Sequence, residues 1–270
     1  MRTRKCLVRN IMKNESLTLF IPLYGKALMS REDIFPDATA ERIVASVDYD
    51  FSQVDQTRKL AIYMAMRAAH YDRMVEDYAA RHPEGVIIQL GVGLDSRVNR
   101  AQVSLPWYDL DFPEVIDLRR TYYPENAQYH LIAAPALPAG WLVGIPQHTH
   151  ALIIAEGLSM YLSQQDMRDL MAAFRGHFDE AEFIFDAYSP LAAMLSKWKN
   201  PINAVDAKID FAMDDPALLE GEGCKCILNS DIITPDMVAR LRGSDRLRFR
   251  FMGRAGKSFY RIFGYRLTKM

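Results

Sequence analysis

The chain has 270 residues, of which 50% are hydrophobic and 25% charged, and its formal net charge is -1. This balance excludes a disordered or fibrous chain and argues against a general nucleic-acid binder. No run reaches the roughly 18 apolar residues of a membrane span. Three cysteines and six scattered histidines are a weak basis for zinc or a disulfide framework, so no metal site is assigned. The first fourteen residues are basic but lack the apolar run of a signal peptide. The expectation is a cytoplasmic protein with reduced thiols.

Residues 16–27 (S-L-T-L-F-I-P-L-Y-G-K-A) are apolar with a proline and a glycine inside, and read as an irregular segment or short helix packed over a larger domain. Phe20, Leu23 and Tyr24 read first as core and second as a pocket wall. Asp37 or Thr39 is placed to cap a helix over 37–46. From Thr57 to Arg81, Ile62, Met66, Ala69, Met74 and Tyr78 recur near helical spacing, and H-P-E-G at 82–85 ends the run. Arg67 lies inside this helix.

The stretch 86–97, V-I-I-Q-L-G-V-G-L-D-S-R, organises the rest of the chain. A short β-branched run breaks at Gly91, Gly93 and Asp95, as a buried parallel strand does when it enters a ligand-binding turn. A helix over 94–101 is expected next, with its start available to an anion. W-Y-D-L-D at 107–111 is a second strand, and Pro113 starts a further helix. Asp111 lies 20 residues after Gly91, the distance at which nucleotide-binding units place an acid on a ribose. Further strands are expected at 129–134, 151–156 and 182–188, with Ser163 capping a helix between the last two. Glu156, Asp186 and Tyr188 then sit at strand exits, on the ligand-binding edge of an open α/β sheet. His148 and His150 fall at the opposite end of their strand. Alternation of strands and helices argues for one parallel sheet with helices on both faces.

Two cofactors fit this unit. A dinucleotide site wants a third glycine and room for a pyrophosphate, but Gly93 is followed by Leu94, Asp95 and Ser96. S-adenosylmethionine carries a sulfonium, an amino group and ribose hydroxyls, which acids suit better. The turn therefore favours the methyl donor over NAD. A glycine turn that merely packs the sheet is the third reading.

Towards the C-terminus, residues 190–222 read as a lid-like excursion with a short helix near Pro216. A strand is expected at 225–229, a helix after Thr234-Pro235, and a final alternating strand at 260–268. Cys224 and Cys226 read as alternating positions of a strand. Arg240, Arg242, Arg246, Arg248, Arg250 and Arg254 form a basic run. It reads first as a solvated face or the surface for an acidic partner, and second as an RNA or lipid patch.

Arg67, G-V-G-L-D-S-R at 91–97, W-Y-D-L-D-F-P at 107–113 and E-G-L-S-M-Y-L at 156–162 together closely resemble the leucine carboxyl methyltransferase family. Within it the chain is most similar to the bacterial, polyketide O-methyltransferase branch. The resemblance implies a class I S-adenosylmethionine-dependent methyltransferase, α/β, with a seven-stranded sheet of six parallel strands and an antiparallel last one. It implies that Arg67 pairs with the cofactor carboxylate and that Gly91 and Gly93 admit the methionyl part. Asp95 would stay near the amino end, Arg97 would brace the turn, and Asp111, rather than Asp109, would take the ribose. Glu156 would face the methyl-transfer site, and Tyr161 would shape its floor. The family's acid after the third strand is missing, since the chain has Ala133, Ala134, Pro135, Ala136 and Leu137 there.

The expected reaction is O-methylation of a small-molecule carboxylate or hydroxyl, with neither nucleic acid nor membrane as partner. An NAD-dependent oxidoreductase and a catalytically silent, protein-binding relative are the alternatives. The chain is expected to form a single domain, with 1–56 as an N-terminal cover and 190–222 as the lid-like insertion.

Overall fold

The computed structural model describes residues 18–54, 56–147, 150–196, 209–254 and 259–269. Among the described residues three α-helices precede the sheet: α1 (Phe20–Ser30), α2 (Ala38–Ser46) and α3 (Arg58–Arg81). Helix α1 is more regular than expected. Pro22 falls in its first turn, where a missing N–H costs no hydrogen bond. Asp37 caps α2 through Ala40 N at 2.9 Å, and Thr57 caps α3 through Leu60 N.

The sheet begins with β1 (Val86–Leu90), the single-turn helix α4 (Arg97–Arg100), β2 (Trp107–Asp111), α5 (Pro113–Arg120) and β3 (Tyr129–Ala133). It continues through β4 (His150–Ala155), α6 (Gln164–His177), β5 (Glu180–Tyr188) and α7 (Pro190–Ser196). It closes with β6 (Cys224–Asp231), α8 (Pro235–Arg240), α9 (Gly243–Arg254) and β7 (Tyr260–Thr268). The strand order is β3-β2-β1-β4-β5-β7-β6, with β7 antiparallel to both neighbours. The expected seven-stranded, mostly parallel sheet is therefore present, and its last strand is inserted rather than added at the edge.

Period-two alternation splits the strand residues between two cores. Ile87, Leu152, Ile154, Ile184 and Ile262 pack on the face covered by α1, α2 and α3. Ile88, Leu90, Ile153, Phe183, Phe185 and Phe263 pack on the face covered by α6. Ser163 caps α6 in a reciprocal capping box with Asp166. Phe20 and Leu23 are core, and Phe20 stacks on Tyr49 at 3.9 Å between ring centroids. Tyr24 stacks instead on Phe51 at 4.9 Å.

Two expectations change. The helix foreseen over 94–101 is reduced to Arg97–Arg100, because the Asp95 carboxylate accepts from Arg97 N at 3.3 Å and fills the helix start itself. An external anion therefore has no place there. Of the basic run, Arg246, Arg248, Arg250 and Arg254 lie on the helix α9, Arg240 ends α8, and Arg242 falls between them; the apolar content of α9 was too sparse to show a helical stripe.

Candidate active site

The parallel strands all end at one edge, and the expected site residues collect there. Gly91 and Gly93 have φ of 61° and 54°, a left-handed backbone that disfavours a side chain. A Cβ on Gly93 would also stand 3.1 Å from Leu19, so the turn passes tightly under the start of α1. Asp111, the last residue of β2, accepts from Gly93 N at 2.7 Å and from Phe112 N at 2.8 Å. The acid is thus fixed beside the turn while keeping lone pairs for a ligand. Burial pushes its carboxyl up to about 6, against the pull of those two N–H groups.

Asp109 is excluded as a ribose contact. It is completely buried and accepts from Trp107 Nε1, Tyr129 OH and Arg119. Two acids on one strand, two residues apart, share a face of the pleat, yet only Asp111 at the strand exit keeps lone pairs free.

Beneath the turn lies a network of buried charge. Arg67 Nε donates to Glu156 at 2.9 Å, and its Nη1 lies 3.4 Å from Asp186 and 3.3 Å from the Tyr260 hydroxyl. Arg97 donates to the other Glu156 oxygen and to Asp72, and lies 3.1 Å from Asp95. Arg100 joins Asp37, Asp72 and Asp95, and Lys26 of α1 donates to Asp95. Gln89 of β1 adds a contact to Asp95 at 3.2 Å. Asp186 accepts from Gly157 N at 2.7 Å and so holds the turn after β4. The guanidinium groups of Arg67 and Arg97 hold Glu156 below the usual carboxylate range despite its burial. Arg97, Lys26 and Arg100 do the same for Asp95. Burial pushes Asp186 up to about 6, offset in part by Arg67.

The fold brings Arg67, Gly91, Gly93, Asp95, Asp111 and Glu156 together as expected, and Tyr161 lies in the short helical turn Ser159–Tyr161 after Glu156. The geometry alters the expected chemistry of two of them. Asp95 has four side-chain partners, so it braces α1 and α4 against the turn. Glu156 has both oxygens engaged by guanidinium, so it is ill suited to act as a proton acceptor. Lys26, Asp72 and Arg100 were missed. Lys26 did carry a signal, a lone cation inside the apolar run F-I-P-L-Y-G-K-A-L-M. Asp72 and Arg100 carried none, because their pairing joins helices far apart in the chain.

The chain is 33% identical to the tetracenomycin polyketide synthesis O-methyltransferase TcmP of Streptomyces glaucescens over 207 residues, 75% of this chain and 77% of the relative. The family model for leucine carboxyl methyltransferase matches residues 20–128. The chain belongs to the leucine carboxyl methyltransferase family. An S-adenosyl-L-methionine-dependent methyltransferase of Gibberella zeae, dpfgK, is 28% identical over 228 residues, 75% of this chain and 76% of that one. A DUF574 family protein from Streptomyces avermitilis shares the fold, with a TM-score of 0.57 at 12% identity over 78% of this chain and 86% of that one. So does the plantazolicin methyltransferase BamL in complex with SAH, with a TM-score of 0.50 at 9% identity over 95% and 98%.

This member of the leucine carboxyl methyltransferase family is an S-adenosylmethionine-dependent methyltransferase, and nothing among its relatives supports the oxidoreductase alternative. Its residues fit the methyl donor. The network sets Lys26, Arg67, Arg97 and Arg100 against Asp37, Asp72, Asp95, Glu156 and Asp186, one negative charge in excess when all are ionised. A donor with a sulfonium, an ammonium and a carboxylate carries one positive charge in excess. A pyrophosphate would meet the opposite balance. The clustered donors His82, Glu180 and Glu182 lie at the far edge of the sheet, where Arg81 already binds Glu182 through two hydrogen bonds of 2.7 and 2.9 Å. Among the described residues no helix is long and apolar enough to cross a membrane.

Proposed function

We propose that this methyltransferase transfers a methyl group to an oxygen, carboxylate or hydroxyl, of a small, largely apolar molecule. The observation that carries the reading is the glycine turn, bonded to Asp111 on one side and linked on the other from Asp95 through Arg97 and Glu156 to Arg67. Asp111 takes the ribose hydroxyls, Gly91 and Gly93 admit the methionyl part, and Arg67 pairs with the donor carboxylate. Glu156 is the acid nearest to that arginine and serves the donor's ammonium and sulfonium as a fixed negative charge. Asp95 acts indirectly, by bracing the turn, and Tyr161 forms part of the floor. Bound S-adenosylmethionine supplies an electrophilic methyl group, so the protein's task is alignment and electrostatics.

The acids at the exits of β4 and β5 are engaged, Glu156 by two guanidinium groups and Asp186 by Gly157 N and Arg67. His150 stands at the start of β4, on the far edge, 4.4 Å from the His82 ring, and His148 lies outside the described residues. An acceptor already ionised near neutral pH, such as a carboxylate or an acidic phenol, needs no base and suits this site best. The O-methyltransferase activity in the name of TcmP supports oxygen as the acceptor atom. Leu191, Met194 and Leu195 are exposed on α7, directly after β5, and form an apolar approach to the same edge.

We read the chain as one methyltransferase unit. The described part of the N-terminal cover, 18–54, is tied to Asp95 by Lys26. Of 190–222, residues 210 and 213 lie beside the exits of β4 and β5, where Asp210 N donates to Met160 O and Met213 N to Tyr188 O; 1–17 and 197–208 lie outside the described residues.

The test is calorimetric titration with S-adenosylhomocysteine, followed by transfer of a labelled methyl group to a panel of aromatic hydroxy acids. Alkali releases a methyl ester as methanol and leaves an aryl methyl ether intact, which separates the two acceptor classes. Label on carbon or nitrogen, or no affinity for S-adenosylhomocysteine, would overturn the proposal.

A further inference from the structure

Helix α9 presents a surface that the donor site does not explain. Phe249 is buried against the body of the protein. Leu247 and Phe251, four residues apart and on the opposite side of the helix, are 69% and 76% exposed. Exposed arginines surround them: Arg246, Arg248 and Arg250 on the helix, with Arg240 and Arg242 just before it. None of these five forms an ion pair with a described residue. Asp236 pairs with Arg73 at 2.8 Å, and Asp245 and Glu32 pair with Arg58, both arginines from α3, while Asp33 shares a pocket with Arg240 and Arg242; the charge left unopposed is that of Arg246, Arg248 and Arg250 on the helix. A chain of net charge -1 thus concentrates unpaired positive charge around two projecting apolar side chains.

Charge selects the occupant. A second copy of the chain would bring the arginines of α9 against their own kind. A nucleic-acid backbone would match the arginines but leave the Leu247–Phe251 ridge against phosphate. An acidic protein would have to place carboxylates at several matching points. A plane of anionic headgroups meets every arginine whatever the spacing, and the hydrocarbon below it takes the ridge, while arginine stems reach back to headgroup level. We propose that α9 is a peripheral docking surface for an anionic phospholipid bilayer. The absence of a membrane-spanning helix does not bear on such a contact, and the proposal stands independently of the acceptor assigned to the donor site.

The experiment is co-sedimentation of the full chain with vesicles of equal parts phosphatidylglycerol and phosphatidylcholine, against vesicles of phosphatidylcholine alone. Binding is expected to the anionic vesicles only, and to weaken with salt. Each arginine at a strongly anionic surface contributes roughly fivefold in affinity, so R246Q/R250Q should weaken binding by about 25-fold. L247S/F251S should weaken it by about tenfold or more, because the ridge no longer inserts. Both variants should keep the parent's melting temperature and its affinity for S-adenosylhomocysteine, since neither touches the donor site. Absence of binding to anionic vesicles would overturn the proposal. So would L247S/F251S binding as tightly as the parent, which would leave only diffuse charge attraction.

Discussion

In the donor site proposed above, the end assigned to the methionyl group and the end assigned to the adenine are made of opposite materials. At the methionyl end, Lys26, Arg67, Arg97 and Arg100 interlock with five carboxylates from α3, β5, the cap of α2 and the turns after β1 and β4. At the adenine end, beyond β3, Ala133 to Leu137 offer no charged side chain. Asp111 stands between them and is held by backbone N–H groups alone. The contrast teaches where selectivity resides. A buried charge network costs several kcal/mol per ion to desolvate and is offset only by accurate pairing, so it recognises charge pattern sharply. An apolar shelf recognises a flat ring with little regard to its edge. The comparison implies that this enzyme holds its donor chiefly by the amino-acid end and the ribose.

The strongest challenge to that view is Arg67→Met. It removes the carboxylate partner and leaves Glu156 and Asp186 short of a cation. Affinity for S-adenosylhomocysteine should fall by about 100-fold or more, and stability by about 3–5 kcal/mol, read by calorimetry and denaturant unfolding. Unchanged affinity would move the anchoring elsewhere in the cleft.

Asp111→Asn comes next. Hydrogen bonds to a charged group contribute about 1.5–3 kcal/mol, so a loss of about 10- to 100-fold in affinity is expected, while the amide oxygen keeps the bond from Gly93 N and gives up the one from Phe112 N. The same acid sets a pH dependence. With its carboxyl at about 6, affinity in the parent should drop as pH falls from 7 to 5, and the Asn variant should lose that part of the slope.

A smaller effect concerns stability. The Asp186 carboxyl is raised to about 6, so the folded state holds its proton where the unfolded chain has already released it. Its contribution is present below the ordinary carboxylate range and is lost as pH rises through 6. Glu156 and Asp95, held low, act in the opposite sense, and their contribution fades only in stronger acid. Asp186→Asn should therefore flatten the stability profile between about pH 4 and 6 without removing it, because Asp111 titrates in the same window. Thermal melts across that range would measure it; an unchanged profile would show that Asp186 stays ionised throughout.

The smallest effect is expected at the apolar end. Ala134→Asp supplies one acceptor near the adenine edge, and one such hydrogen bond contributes about 1 kcal/mol, a gain of about fivefold. A much larger gain would mean that the adenine end dominates affinity and that the contrast between the two ends is mistaken.

The fold was legible because each strand carried its own boundary. Val86–Leu90 ends at Gly91, Trp107–Asp111 at Phe112-Pro113, and Tyr260–Thr268 alternates towards its two ends around a fully buried centre, so local pattern and tertiary role agree. The glycine turn and Asp111 were legible for a related reason, since their relation is a spacing along one supersecondary unit. The partners of Asp95 and Glu156 were not. Lys26 lies 69 residues from Asp95, and Arg67 lies 89 from Glu156, so the pairs exist only once helices dock on the sheet. Without that docking Glu156 looks like an available base; with it, the same side chain is a locked counter-ion. Leu247, Phe249 and Phe251 showed no helical stripe in the sequence, and only packing shows that Phe249 faces inward while the other two do not.

The insertion of β7 between β5 and β6 has a consequence for synthesis. As the chain leaves the ribosome, β5 emerges with an open edge, and β6 cannot occupy it, because that place belongs to the last strand of the seven. The edge stays unpaired until residues 260–268 arrive, and Asp186 waits for its neighbour Ile262 across 76 positions of chain. Tyr260 comes with the same strand, so Arg67 lacks this contact until then. The cofactor site is thus completed only once β7 has been made, and a nascent chain stalled before β7 exposes a sticky strand without a working donor pocket.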